Sequence, residues 1–421
     1  VETIEYNLLL ILTDFKKEVL MKAQVVIGSN FGDEGKGLMV DYLASKSYDS
    51  LTVRFNGGAN AGHTVETETG DRHVFGHIGS GSFCGSDTLL SEYFVINPSL
   101  FRKEYEELSN KIDVPNIYYM YNCKITTPYD VMINQIAEDF RSKDKHGSCG
   151  VGLGETEERS LNPSFRLDAT DICSKLKVKD ILKSIHSQYL DKRLISLGVP
   201  ESFFKKSEIY NIPYAMIEER FIEDIEFFKD KSWMSDGYMD RPNYKDIIFE
   251  GAQGLLLDQT NGTFPNVTRS NTGIINASDV AHKMGIDELD INYMTRCYMT
   301  RHGAGVFNQN ESVFENFIIE DKTNVPNKYQ DSMRFDFLNI DSLYRRIELD
   351  LCYINRYIKK ININLGVTCI DQIIGAVKYK FKGEIIESSL DDFFNNLRGR
   401  FFTFNNIYES YGPTRKTMIK N

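Results

Sequence analysis

Short apolar runs ending in glycine alternate with segments whose apolar residues recur every three to four positions, and this alternation predicts an α/β fold. Gln24-Val25-Val26-Ile27-Gly28 is followed by Leu38-Met39-Val40-Asp41-Tyr42-Leu43, a spacing that predicts strand, glycine-rich loop and helix. Leu51-Thr52-Val53-Arg54-Phe55 leads into Gly57-Gly58-Ala59-Asn60-Ala61-Gly62-His63-Thr64, which holds too much glycine for regular structure. Ile247-Ile248-Phe249 leads likewise into Glu250-Gly251-Ala252-Gln253-Gly254, and the alternation of Ile361 to Val367 predicts a strand entering Thr368-Cys369-Ile370-Asp371. Strands that each deliver polar groups on a loop at their carboxyl end predict an open, mainly parallel sheet with a ligand crevice.

Residues 176–245 read as mostly helical. Met216, Ile217, Phe221, Ile222, Ile225 and Phe228 recur at helical spacing, with Glu218, Glu219, Glu223 and Asp224 on the opposite face, as in an amphipathic helix packed on a sheet. No internal repeat or low-complexity linker interrupts the chain, so one domain over 21–421 with a helical insertion near 176–245 is expected. Residues 1–20 read as an extension ahead of the first strand, because the apolar run Leu8–Leu12 is too short for a signal peptide or a membrane span.

Composition narrows the chemistry. With 41% hydrophobic and 26% charged residues among 421, the chain has the make-up of a globular protein with a sizeable core. A formal charge of −11 argues against a nucleic-acid partner, which needs a basic stripe to displace counterions. Small phosphorylated ligands remain open, since a few aimed N–H groups and one lysine hold a phosphate on an acidic protein. The seven cysteines, at 84, 123, 149, 173, 297, 352 and 369, form no C-x-x-C pair, a pattern that suits a reducing, cytoplasmic setting.

The densest motif is Gly32-Asp33-Glu34-Gly35-Lys36-Gly37, directly after a predicted strand and opening a predicted helix. Glycines let successive N–H groups and the helix N-terminus face an anion, and the lysine adds a point charge. The ordinary nucleotide P-loop needs glycine at 30 and Ser or Thr at 37; Asn30 and Gly37 stand there instead. A carboxylate such as Asp33 beside a phosphate cradle can ligate Mg²⁺ or take a proton from a ring nitrogen. His63, among glycines that offer little bulk to bury it, reads as a phosphate contact.

These segments resemble the adenylosuccinate synthetase family. The likeness runs in order from about 23 to 419: Gly32–Gly37; Gly57-Gly58 with Asn60 to Thr64; Phe249 to Gly254 with Leu256-Leu257-Asp258; Gly262-Thr263-Phe264-Pro265; Val267-Thr268; Ser270-Asn271-Thr272; Thr300-Arg301 with Gly303-Ala304-Gly305; and Ser410-Tyr411-Gly412-Pro413 with Arg415. The resemblance implies a P-loop-like α/β fold and a GTP- and Mg²⁺-dependent ligase that phosphorylates the 6-oxygen of a purine monophosphate and displaces it with L-aspartate. It implies Asp33, His63 and Gln253 as catalytic residues, with Asp33 and the Gly62 carbonyl on the metal. GTP contacts would come from Gly32, Glu34, Gly35, Lys36, Gly37, Thr64, Asp371, Ser410 and Gly412. Monophosphate contacts would come from Asn60, Ser148, Cys149 and Thr268, and the amino acid would meet Arg334.

Departures keep several alternatives open. Cys369 stands where the family has lysine, leaving ATP as an alternative donor, and Cys149 stands where threonine is usual in Gly147-Ser148-Cys149-Gly150-Val151-Gly152. The region for the aspartate carboxylates, Asn327 to Asp336, carries one arginine, whereas two carboxylates call for a guanidinium fork or several N–H donors. The compact stretch Asn271–Arg301 is more similar to a viral branch that includes enzymes acting on dGMP, yet some of that branch lack the acids retained at Asp33 and Glu34. IMP and dGMP therefore both stand as substrates, with a nucleotide-binding homologue of altered chemistry as the alternative. The family's homodimer, with an arginine lent across the interface, is implied too; Arg159 and Arg166 are the nearby candidates.

Overall fold

The computed structural model describes residues 21–142, 147–235, 237–238, 244–319, 332–398 and 403–421. The expected extension 1–20 and the first part of the arginine-poor stretch, 327–331, lie outside the described residues. Ten strands make one sheet: β1 (Lys22–Gly28), β2 (Ser50–Arg54), β3 (Asp87–Leu90), β4 (Ile117–Met120), β5 (Trp233–Ser235), β6 (Asp246–Glu250), β7 (Glu288–Arg296), β8 (Lys360–Thr368), β9 (Asn406–Ser410) and β10 (Met418–Lys420). Their order is β10-β9-β8-β7-β1-β6-β2-β3-β4-β5, and every neighbouring pair is parallel except β9 with β10.

β1 lies where the chain changes direction across the sheet. The strands up to β5 build one flank, β6 returns to pair directly with β1, and β7 to β10 build the other flank. The register sets Val26 beside Glu250 on one side and Asn292 on the other, so the loops leaving β1 and β6 emerge together at the sheet's carboxyl edge. This is the switch point at which open α/β sheets bind ligands.

Neighbouring side chains of β1 face opposite cores, as the pleat requires. Val25 and Ile27 join the larger apolar cluster with Ile274 and Ala277 of helix Ile274–Lys283, while Val26 packs with Leu38, Met39 and Val40 of helix Lys36–Ala44. Both faces are covered, which is why the central strands read as unbroken apolar runs. Among the described residues no helix is long and apolar enough to cross a membrane.

Two local readings change. Helix Tyr214–Asp230 buries Ile217, Phe221, Ile225 and Phe228, but Met216 is 61% exposed and Asp224 is buried on the packed face. Seven residues after Ile217, Asp224 falls on the same stripe. Ser99 Oγ, at 2.5 Å, and Arg102, at 3.3 Å, compensate its charge. The stretch 176–245 also supplies a strand, Trp233–Ser235, at the sheet edge.

Candidate active site

Two loops stack backbone on backbone at the switch point. A Cβ on Gly28 would come within 2.6 Å of the Gln253 carbonyl oxygen, and one on Gly254 within 2.4 Å of Asn30 O and 2.7 Å of Gly32 N. Only glycine allows that approach. Asp33 (φ 57°) and Gln253 (φ 63°) are both held in the left-handed region. That conformation costs a side-chain-bearing residue on the order of 1–3 kcal/mol and persists where the surroundings enforce it. Arg296 enforces one of the two, donating from Nε to the Asp33 carbonyl at 2.5 Å. Both residues line a cavity of about 1190 Å³, above the upper end of roughly 1,000 Å³ for a site holding one small ligand.

Lys36 opens helix Lys36–Ala44 behind a left-handed Gly35, so the helix N-terminus and the ammonium group share one end of the cavity. Burial lowers the basicity of Lys36, against the pull of Glu34, Asp33 and Glu250. Asn30 donates to one oxygen of Glu34 from its backbone (2.7 Å) and its side chain (2.6 Å), and the other oxygen is buried without a partner among the described residues. Burial pushes this carboxyl up to about 7 despite Lys36 and the Asn30 donors. Arg346 braces the loop from helix Ile340–Leu351, donating to Ser29 O at 2.8 Å and to the Asn30 side chain.

His63 begins a short strand, His63–Glu66, paired antiparallel with Arg72–Phe75, so the second glycine-rich loop ends in a hairpin. Its Nδ1 lies 2.6 Å from Glu250 Oε1, and the same carboxylate accepts the backbone N–H of Ser80 at 3.0 Å and the Ser80 hydroxyl. Arg54, fully buried, stands 3.9 Å from the second oxygen. Burial would raise the Glu250 carboxyl, but His63, Arg54 and Ser80 bring it down to about 2. Glu250 is therefore ionised, and Nδ1 of His63 carries a proton directed at it. His63 meanwhile lines the cavity, with its Cβ packed beside Gly37.

A further glycine-rich loop, at 147–152, lines the same cavity. Gly147, Gly150 and Gly152 have positive φ, and the turn runs into the N-terminus of helix Leu153–Ser160. Asn134 ties it down, donating to Ser148 Oγ at 2.9 Å and accepting from Gly152 N at 3.2 Å. Cys149 lines the cavity as a neutral thiol, its pKa lifted by burial to about 11. Asn60 lines it with a buried side-chain oxygen that has no partner among the described residues, an acceptor open to a donor.

Of the residues singled out from sequence, Gly32, Asp33, Glu34, Gly35, Lys36, Gly37, Asn60, Gly62, His63, Thr64, Ser148, Cys149, Gln253, Thr268, Asp371 and Gly412 share this cavity. Two do not line it. Ser410 is 1% exposed and spends its hydroxyl on Gly412 O at 2.9 Å, so it shapes the turn. Arg334 donates to the carbonyls of Gly303 (2.7 Å) and Gly305 (2.9 Å), holding the 303–305 loop. Arg159 is likewise internal, bonded to Asp130 at 2.7 and 2.9 Å and to Phe165 O, which removes it as an arginine offered to another subunit. Sequence reasoning assigns no role to Glu250 or Gln372. The only signal for Glu250 was a charge at the end of an apolar strand.

The donor set suits Mg²⁺. Among the described residues no cluster of three His, Cys, Asp or Glu could hold a metal alone. One half-buried carboxylate, Asp33, lines the cavity with no hydrogen bond to its side chain from the described residues, and Gly62 lines the same cavity. Mg²⁺ is ordinarily held by one or two carboxylates together with phosphate oxygens and water.

A parallel sheet whose switch-point loops set an anion cradle beside a carboxylate, an amide and a buried histidine defines an open α/β protein with its ligand crevice at the switch point. The chain belongs to the adenylosuccinate synthetase family, whose sequence pattern it matches over residues 25–394. Relatives include the adenylosuccinate synthetases of Lactobacillus acidophilus, 33% identical over 300 residues (68% of this chain and 65% of the relative), and of Mesoplasma florum, 32% identical over 292 residues (67% and 63%). The chain thus matches slightly under two thirds of the length of these relatives. In fold it is similar to a fully ligated adenylosuccinate synthetase from Plasmodium falciparum (TM-score 0.65, 19% identity, covering 95% of this chain and 99% of that one). It is also similar to the succinoaminodeoxyadenylate synthetase of cyanophage S-2L, bound to dGMP and to dATP as energy donor (TM-score 0.53, 15% identity, covering 95% of each).

Proposed function

We propose that the chain is a GTP-dependent carbon–nitrogen ligase acting on a 6-oxopurine nucleoside monophosphate, IMP or its close variant dGMP, with L-aspartate as amine donor. The observation that carries this reading is the meeting of Asp33 and Gln253 on facing loops of one cavity, beside Lys36 and His63. In this reading Asp33 takes the N1 proton of the purine, and charge moves to O6, which Gln253 steadies as a hydrogen-bond donor. O6 attacks the γ-phosphorus; the bond to the β-phosphate oxygen breaks and GDP leaves. The aspartate amine then attacks C6, the C6–O bond breaks, and phosphate departs with the original oxygen.

Lys36, the N-terminus of helix Lys36–Ala44 and His63 would hold the triphosphate during transfer. Asp33 and the Gly62 carbonyl would hold Mg²⁺, which supplies charge neutralisation for the phosphates when bound. The 147–152 loop, with Asn60 and Thr268, would take the monophosphate. With Arg334 bonded to carbonyls, the aspartate carboxylates must find other donors in this reading. If a second copy lends an arginine, Arg166 is the remaining candidate of the two, exposed beside Asp168.

Incubation with GTP, Mg²⁺ and aspartate plus IMP, GMP or dGMP in turn, following GDP and the new purine chromophore, tests the proposal. Turnover with IMP or dGMP is expected. No turnover with any of the three contradicts it, and tight nucleotide binding without GDP formation would point to a homologue that has lost the chemistry.

A further inference from the structure

The end of the cavity beyond the phosphate loop is walled by Thr368, Cys369, Asp371, Gln372, Gly412 and Pro413. Strand β8 runs straight into this wall, and the one-turn helix Ile370–Gln372 sets Asp371 and Gln372 side by side on it. Asp371 is one of the GTP contacts that the family resemblance implies; Gln372 has had no role so far.

Its amide is not free to turn over. Arg296 donates from one guanidinium nitrogen to the Tyr298 hydroxyl oxygen at 3.0 Å, and the Tyr298 hydroxyl donates to Gln372 Oε1 at 2.6 Å. Arg296 is itself pinned to the Asp33 carbonyl. Tyr298 is 1% exposed and packed edge-on against Phe317 at 5.2 Å. Burial pushes its phenol well above the ordinary range, so it stays a donor. With the Gln372 oxygen committed, only the Nε2–H₂ group remains to meet a ligand, and it makes no hydrogen bond with the described residues.

We infer that Gln372 is a specificity-determining residue for the base of the phosphate donor: its Nε2 donates to a purine 6-oxygen and so selects 6-oxo over 6-amino purines. Asp371 accepts only, so it takes the N1–H that a 6-oxopurine carries. In the same pose adenine turns a ring-nitrogen lone pair toward the carboxylate and an amino group toward Nε2, acceptor against acceptor and donor against donor. A site whose polar groups are left unpaired by the wrong ligand rejects it more strongly than shape alone could. The relay from Arg296 through Tyr298 keeps the amide from flipping to suit adenine. The inference rests on the proposal that this end of the cavity holds the donor's base, and it adds the residue that reads the 6-oxygen of that base.

The test is equilibrium binding of GDP, IDP and ADP, which needs no turnover, to the wild-type chain and to Gln372→Leu and Tyr298→Phe. The wild type is expected to prefer GDP and IDP to ADP. Gln372→Leu should weaken GDP and IDP alike by about tenfold, leave ADP within twofold, and so collapse the preference. Tyr298→Phe, which keeps the packing and removes only the hydroxyl, should reduce the preference severalfold. A GDP-to-ADP ratio in both variants within twofold of the wild type would overturn the inference, as would wild-type binding of none of the three diphosphates. Altered preference without any ligase turnover would sustain it while the ligase proposal failed.

Discussion

Glu250 ends a strand directly after Ile247, Ile248 and Phe249, and a buried charge so placed is tolerable only because His63, Ser80 and Arg54 surround it. Glu250→Gln keeps the shape but removes the charge that fixes the proton on His63 Nδ1. We expect kcat to fall about 10- to 100-fold, in the range of a mis-set acid–base group, with KM for all three substrates within about twofold. A merely structural role would move KM and melting temperature together, and steady-state kinetics with thermal denaturation separates the two. Asp33→Asn, close in shape, should lower kcat by at least about 100-fold while diphosphate binding, read by calorimetry, persists. At this scale the sequence was legible where a residue type has one use in one context: Asp33, Lys36 and His63 stand out in glycine-rich loops. Glu250 and Gln372 were not, because their significance lies in partners more than 70 positions away.

The stacked loops after β1 and β6 are the element on which the site depends. Gly254→Ala would drive a methyl group into Asn30 O and Gly32 N. The loops must separate, and a loss of about 1–3 kcal/mol in denaturant unfolding together with most of the turnover is expected; unchanged activity would mean that the stacking is not required. Further out, Asp350 caps helix Ile274–Lys283 by accepting from Ile274 N at 2.9 Å and from the Tyr293 hydroxyl at 2.7 Å. Burial raises this carboxyl from 3.8 to about 7 in the folded chain. A raised value means that the folded state holds the proton more tightly. The stability this contributes is complete below about pH 4 and is lost as pH climbs through 7. Melting curves of Asp350→Asn between pH 4 and 7 should therefore depend less on pH than those of the wild type; equal dependence would contradict it. Strands and glycine loops were readable because their periods and turn residues are local. The three-residue strand at the sheet edge was not, since so short a run carries no period, and Asp224 was assigned outward because its charge concealed its place on the apolar stripe.

Across the whole molecule, the order of strands brings the chemistry together. Pairing β6 directly with β1 unites residues 33 and 253, while β8, beyond β7, carries residues 369–372 to another wall of the same cavity. Sequence motifs gave the parts in order along the chain; that three separate loops share one cavity required the topology, and the diversion of Arg334 and Ser410 from it required their hydrogen bonds. The central claim is that the purine oxygen itself attacks the phosphoryl group under the joint action of Asp33 and Gln253. A monophosphate substrate labelled with ¹⁸O at the 6-position, turned over with GTP and aspartate, reports on this directly through the mass of the released phosphate. One ¹⁸O atom in the phosphate is the expected result, and phosphate free of the label would contradict it.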